Sequence, residues 1–377
     1  MNTPKRVVHI TTVHHPYDPR IYHKECHSLQ QAGYDVILIA RQSDGDVRTN
    51  SPIKHIPVPT YSSRLKRMVF GTFAAYKKAK ALQADVYHFH DPELLFVGWL
   101  LKKKDNIVIY DIHEDYVTSI LQKEYMKKPV KKIIAGMYKW LEKLFTRNME
   151  LCLAEKYYYD IYKRGICILN YPAINEMFMK HERKRGFLED KLLYTGNVTY
   201  DRGALTHARI PQIDSNVTVH FVGKCDSSVA EEMYAAAGDQ KDNLKIEGID
   251  RFVEKEDIEK TYVSHQWLAG IALFPPTEHY MKKELTKFFE YMNAGLPIIC
   301  SDFPVWKQFV ETYECGIAVD PTNDAEIKEA IDYLRTHPDE AHQMGKNGKK
   351  AVMETLNWHS EEKKLITWYD QLLNHNR

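Results

Sequence analysis

The strongest constraint on the fold lies in the first forty residues. Residues 6–13 (RVVHITTV) form an apolar, β-branched run that reads as a buried strand. The loop 14–20 (HHPYDPR) follows, and its two prolines exclude helix. Residues 21–32 read as a helix ended by Gly33, and 35–40 (DVILIA) as a second buried strand. Strand, helix and strand at this spacing make a βαβ crossover, which implies a parallel sheet. The alternation continues through strands at 85–89, 106–112, 151–154 and 166–169. After a polar stretch it restarts, with strands at 191–195, 217–222, 244–247, 268–274, 298–300 and 317–319. The predicted class is therefore α/β with two Rossmann-like parallel-sheet domains. The expected boundaries are 1–170, a linker at 171–186, a second domain at 187–355, and a terminal helix at 356–377 packing back toward the first domain. The halves repeat an architecture, not a sequence. The first turn lacks GxGxxG, so the dinucleotide fingerprint is absent.

Composition narrows the function classes. The six cysteines are scattered without a CxxC pair, which suggests reduced thiols in a cytoplasmic protein and argues against a disulfide frame or zinc site. The opening apolar run is too short for a signal peptide, and that at 94–101 too short to span a bilayer. Net charge is +1 but unevenly placed: residues 1–170 carry 27 Lys+Arg against 17 Asp+Glu, the remainder 25 against 34. The basic half suits an anionic partner. Its basic, aromatic segments 63–83 and 123–150 read either as peripheral helices on an anionic membrane or as packing helices with a solvated lysine face. No nucleic-acid motif accompanies them, and nucleic acid is not an expected partner.

Polar residues collect where strands end, the edge at which open α/β sheets bind ligands. In the first half these are His14, His15, Asp18 and Arg20, then His90 and Asp91, then His113 and Glu114. His113, flanked by Asp111, Glu114 and Asp115, can be oriented by a carboxylate for catalysis; a satisfied surface histidine is the alternative. A metal cluster of His88, His90, Asp91, His113, Glu114 and Asp115 is conceivable. HExxH is absent and His88 and His90 share one strand face, so no metal is expected. No GxSxG elbow is present. Arg202, beside Gly203, reads as a phosphate contact or an ordinary loop arginine. In 282–302 (KKELTKFFEYMNAGLPIICSD), Leu285, Phe288, Phe289 and Met292 line one helical face, and Gly295 with Pro297 ends the helix. Thr286, Glu290 and Asn293 share a second face. Helical spacing leaves Glu290 two roles: accepting bonds from a sugar diol, or pairing with Lys287 on the surface.

The motifs VHITTVHHPYDPRIYHKECHSLQQAGYDV, DVYHFHDPELL, VIYDIHEDY, LLYTGNVTYDRG, HFVG, KFFEYMNAGLPIICSD and CGIAVDPTN, with the late Asn357-Trp358, converge on one family. Almost end to end, the chain resembles the family 4 retaining glycosyltransferases of GT-B fold, in which two Rossmann-like domains face a central cleft. The resemblance implies that the second domain binds a nucleoside-diphosphate sugar, with UDP favoured over GDP. Glu290 would hold the ribose hydroxyls and Arg202 the diphosphate, with Gly196 and Asn197 at the strand end. Leu285, Thr286 and Lys287 would sit at an anion-binding helix start. His113 would lie near the transferred sugar, and the first domain would hold a glycan or lipid-linked acceptor, with His14, His15, Asp18, Arg20, His90, Asp91 and Glu114 as acceptor or cleft residues. Transfer of a hexose-type sugar would retain configuration without a metal, in cell-surface polysaccharide synthesis at the inner face of the membrane. Three positions depart from the pattern. Lys282 stands where the first glutamate of E-x7-E belongs, with Glu278 and Glu284 out of register; Asn197 replaces an arginine; His14-His15-Pro16 replaces a glycine pair. A GT-B sugar-nucleotide epimerase and an inactive membrane-associated partner of glycan assembly are the competing readings.

Overall fold

The computed structural model describes residues 4–42, 51–122 and 127–375. The chain divides into two compact units, Met1–Asn170 with Trp358–Arg377, and Tyr171–Asn357.

In the first unit the strands are β1 (Arg6–Ile10), β2 (Asp35–Arg41), β3 (Lys54–Val58), β4 (Val86–Phe89), β5 (Ile107–Ile112), β6 (Glu150–Leu153) and β7 (Ile166–Cys167). They lie in the order β3-β2-β1-β4-β5-β6-β7, and each described pair is parallel. Both faces are covered, so β4 and β5 are buried throughout. On one face Val8, Ile10, Tyr87, Phe89, Val108 and Tyr110 share a core. On the other, Val7, Val86, Ile107 and Ile109 pack with Trp358, Leu365 and Tyr369 of the helix Trp358–His375.

Two differences from the expected elements have physical causes. The first strand stops at Ile10, because side chains then take over the backbone donors. Thr12 and Val13 N–H groups donate to Asp91, and His14 N–H to Thr11 Oγ1. Edge strand β3 has no counterpart in the sequence reading: Pro57 interrupts its pattern, and an edge is where a sheet tolerates proline.

The second unit contains β8 (Glu189–Thr195), β9 (Thr218–Cys225), β10 (Leu244–Ile249), β11 (Trp267–Ala272), β12 (Ile298–Ser301) and β13 (Gly316–Val319), in the order β10-β9-β8-β11-β12-β13, again parallel. The stretch 171–186, expected as a linker, groups with this unit. Phe178 is buried there, and Lys349 Nζ donates to the carbonyls of Phe178 and His181. The helix Thr286–Asn293 buries Phe288, Phe289 and Met292 on the expected face. Gly295 ends it at φ +71°, a left-handed conformation that glycine adopts without a Cβ penalty.

Candidate functional site

In the first unit, the carboxyl ends of β4 and β5 build a cavity of about 340 Å³ whose lining includes His14, Arg64, Arg67, His90, Asp91, Glu93, His113, Glu114 and Tyr138. Asp91 is buried. It accepts from Thr11 Oγ1 at 3.0 Å and Thr12 N–H at 2.5 Å, and its Oδ1 lies 3.0 Å from His14 Nδ1. Burial opposes charge on His14, but the bond to Asp91 outweighs it and raises the imidazole pKa.

Asp111, at the end of β5, organises the rest. Arg20 grips it through Nε (3.1 Å) and Nη2 (3.0 Å) and donates Nη1 to the Ile168 carbonyl. Burial would raise the Asp111 pKa; the guanidinium overrides this and holds the carboxylate well below its usual range. His113 Nε2 donates to Asp111 at 2.5 Å, and His90 Nδ1 at 3.1 Å. Burial, opposed by Asp111, pulls His90 down to about 4. His90 is therefore neutral at pH 7, with its proton on Nδ1, so its Nε2 accepts from His9 Nδ1 at 3.0 Å. Tyr158 Oη fixes the His113 carbonyl at 3.0 Å.

The structure thus brings His14, His90, Asp91, His113 and Glu114 to one cavity. It places the other first-half candidates elsewhere. Asp18 accepts from the N–H groups of Arg20 and Ile21 at the start of the helix, Arg20 is buried against Asp111, and His15 is exposed beside Tyr17. Arg67 and Glu93 were not singled out by sequence, yet they line the cavity as a pair, Nε to Oε1 at 3.1 Å. Their signals were the basic start of 63–83 and the charged end of HDPE.

The structure also gathers potential metal ligands that sequence spacing could not. Donor atoms of His9, Glu25, His88 and His90 lie within 4.8 Å of one another. Arg20 Nε stands 3.0 Å from Glu25 Oε1, so a guanidinium already supplies positive charge to this cluster.

In the second unit the candidate donor residues gather at the end of β8. Gly196 (φ +85°) turns the chain there, and a Cβ on Gly223, at the end of β9, would lie 2.1 Å from the Gly196 carbonyl oxygen. Only glycine allows that approach. Lys287 is buried, donates Nζ to the Thr195 carbonyl, and lies 4.4 Å from the Tyr194 ring centroid. Burial lowers it to about 8, against the pull of Glu290. Glu290 accepts from Tyr262 Oη at 3.0 Å, and Tyr262 also meets Thr195 Oγ1 at 2.7 Å. Burial raises the Glu290 pKa, with Lys287 opposing. Lys287 and Glu290 thus bond to Thr195 and Tyr262 rather than to each other as the solvated surface pair that spacing allowed.

Arg202 Nε donates to Tyr280 Oη at 3.1 Å, and Tyr280 donates to Asp201 at 3.0 Å. Leu285 precedes the helix without a side-chain cap, and Thr286 is exposed at its first turn. The Asn197 side chain is exposed, while its carbonyl accepts from Tyr194 Oη. Lys282 is exposed; Glu284 accepts from Tyr171 Oη at 3.3 Å.

Two Rossmann-like parallel-sheet units with polar strand ends define a GT-B fold, and solved structures share it. Sucrose-phosphate synthase from Thermosynechococcus elongatus superposes with a TM-score of 0.74 at 19% identity, over 98% of this chain and 100% of that one. A glycosyltransferase from Rickettsia africae gives 0.72 at 12%, over 99% of both chains. Anabaena HepE, crystallised with UDP, gives 0.68 at 10%, over 97% and 100%. No curated protein matches the chain in sequence. Family models do: Glycosyltransferase Family 4 over residues 20–155, and Glycosyl transferases group 1 over 207–351. The chain belongs to the family 4 GT-B glycosyltransferases and is a glycosyltransferase enzyme.

Proposed function

We propose that this enzyme moves a hexose-type sugar from a nucleoside-diphosphate sugar, UDP favoured over GDP, to a glycan or lipid-linked acceptor with retention of configuration. The process served would be cell-surface polysaccharide synthesis at the cytoplasmic face of a membrane. The observation that carries the reading is that Lys287 and Glu290, one turn apart on one helix, are both desolvated and both tied to the end of β8, Lys287 through the Thr195 carbonyl and Glu290 through Tyr262. A carboxylate braced by Tyr262 suits the two hydroxyls of a ribose. Lys287 and Arg202, together with the start of the helix Thr286–Asn293, supply positive charge for a diphosphate. HepE, of similar fold, was crystallised with UDP, which supports the choice of base. In the acceptor unit, His113 held by Asp111 supplies a fixed polar contact for the transferred sugar. No metal takes part in this reading: cationic side chains stabilise the departing diphosphate, which accepts the acceptor hydroxyl's proton.

Isothermal calorimetry with UDP- and GDP-sugars tests the reading. Glu290→Ala is expected to weaken nucleotide binding about 10- to 100-fold, the loss of charge-assisted hydrogen bonds. His113→Ala is expected to leave that affinity in place and lower turnover on the order of 100-fold. Absence of nucleotide affinity in the wild type would remove the transferase reading. The exposed Lys282 and the Asn197 replacement favour a second reading, a catalytically silent partner in glycan assembly; nucleotide binding without turnover across a donor panel would select it. Free epimer formed without acceptor would instead mark a sugar-nucleotide epimerase.

A further inference from the structure

Three helical segments of the first unit turn apolar side chains outward. On the helix Lys128–Phe145, Val130, Ile133, Met137, Trp140 and Leu144 are exposed and recur at i, i+3, i+7, i+10 and i+14, one stripe along the helix. Ile133 is 70% and Trp140 63% exposed. Residues 123–126 of the expected segment 123–150 lie outside the described residues. The helical run 64–82 adds Leu65, Val69, Phe70 and Phe73, with Leu65 75% exposed. The third segment, Leu95–Leu101, was not expected to take part. Its exposed Phe96 and Trp99 stack with centroids 5.7 Å apart, and both meet Phe145, at 5.7 and 5.9 Å. At the other end, Arg64 donates to Tyr116 Oη, and the Tyr116 ring lies 4.9 Å from Tyr138. Singly exposed apolar residues are ordinary; a patch joined across three helices is not.

Charge selects the occupant. Segments 64–82, 95–104 and 128–145 carry six, three and five Lys or Arg residues, and only one carboxylate. That carboxylate, Glu142, is buried and accepts from Tyr138 and Tyr162. Lys128, Lys132, Lys139 and Lys143 fall on the face adjoining the apolar stripe. Lys77 lies 4.5 Å from the Phe73 ring centroid, a cation resting on an exposed aromatic. A second copy of this chain would bring the same cations to the contact, setting like charge against like. A bilayer with anionic head groups satisfies both halves of the pattern.

We infer that this face docks on an anionic bilayer. The apolar stripe enters the boundary between head groups and acyl chains, and the lysines meet the lipid phosphates. Met68, itself exposed, and Tyr138, next to Met137 of the stripe, both line the cavity that holds His113. The cavity therefore borders the docking face. This placement of the acceptor rests on the transferase reading: a lipid-anchored acceptor could present its head group there while its anchor stayed in the bilayer.

Flotation of the full chain with phosphatidylcholine vesicles, with and without phosphatidylglycerol, tests the docking. The expected result is co-flotation with the anionic vesicles only, weakening as salt rises. The double variant Ile133→Ser/Trp140→Ser should partition more than about tenfold less, with an unchanged melting temperature because both side chains are exposed. No flotation with either vesicle at low salt would overturn the proposal, as would a double variant that floats like the wild type. So would a wild-type dimer that the double variant converts to monomer, which would assign the patch to a second copy. Nucleotide calorimetry without vesicles reads the transferase assignment separately, so either conclusion can fail alone.

Discussion

At the scale of single residues, the first unit is organised by a shortage of counter-charge. Arg20 faces two buried carboxyl groups, Asp111 and Glu25, and three buried histidines adjoin them. Burial holds all three imidazoles neutral. For His90 this has a measurable sign. Its folded pKa, about 4, lies below the 6.5 of an unperturbed imidazole, so the unfolded chain takes up the proton first on acidification. Its stabilising share is complete above pH 6.5 and is lost as pH falls toward 4, about 3 kcal/mol for this one group. Urea midpoints measured across that range should fall with acidification, and His90→Asn should flatten the slope. An equal slope in both proteins would mean that His90 is not the titrating group. Neither Arg20 nor Asp18 announced its role in sequence. Both sit in a polar loop at a strand end, where ligand residues also gather, and only the fold shows that one caps a helix and the other neutralises a buried acid.

Among the elements, the helix Thr286–Asn293 links the core to the donor-side residues. One face packs Phe288 and Met292, both fully buried, while the same two turns carry Lys287 and Glu290. Phe288 lies against Trp306 (5.2 Å between centroids) and Phe309 (5.4 Å). Phe288→Ala should cost about 3–5 kcal/mol by removing that packing, seen as a lower denaturation midpoint. Nucleotide binding should weaken with it, because the helix that aims Glu290 loses its seat. A destabilised variant with intact affinity would show the two faces to be independent. This element was legible in advance, because its apolar spacing, glycine stop and following strand all agree. Edge strand β3 was not, since proline contradicts strand propensity except at an edge, and edges are known only after the sheet is assembled.

For the whole molecule, the repeated alternation of apolar strand and helix was enough to specify two parallel sheets, since βαβ connections leave few other arrangements. The outward face on the first unit was only partly visible. Segments 63–83 and 123–150 showed their mixture of lysine and aromatics, but 94–101 reads only as an apolar run too short to span a bilayer, and nothing in its sequence says that Phe96 and Trp99 point to solvent. The order of the chain carries one more consequence. The first unit is interrupted: it runs to Asn170 and then takes its last helix, Trp358–His375, from beyond the whole of the second unit. Leu365 and Tyr369 complete one face of its core, Tyr369 Oη meets His88 at 2.7 Å, and Glu361 accepts the Leu169 N–H at 2.9 Å. During synthesis, the second unit is contiguous and can close its core as soon as it leaves the ribosome. The first must wait, with one side of its sheet uncovered, until the helix Trp358–His375 emerges. The unit translated first is the last to be finished.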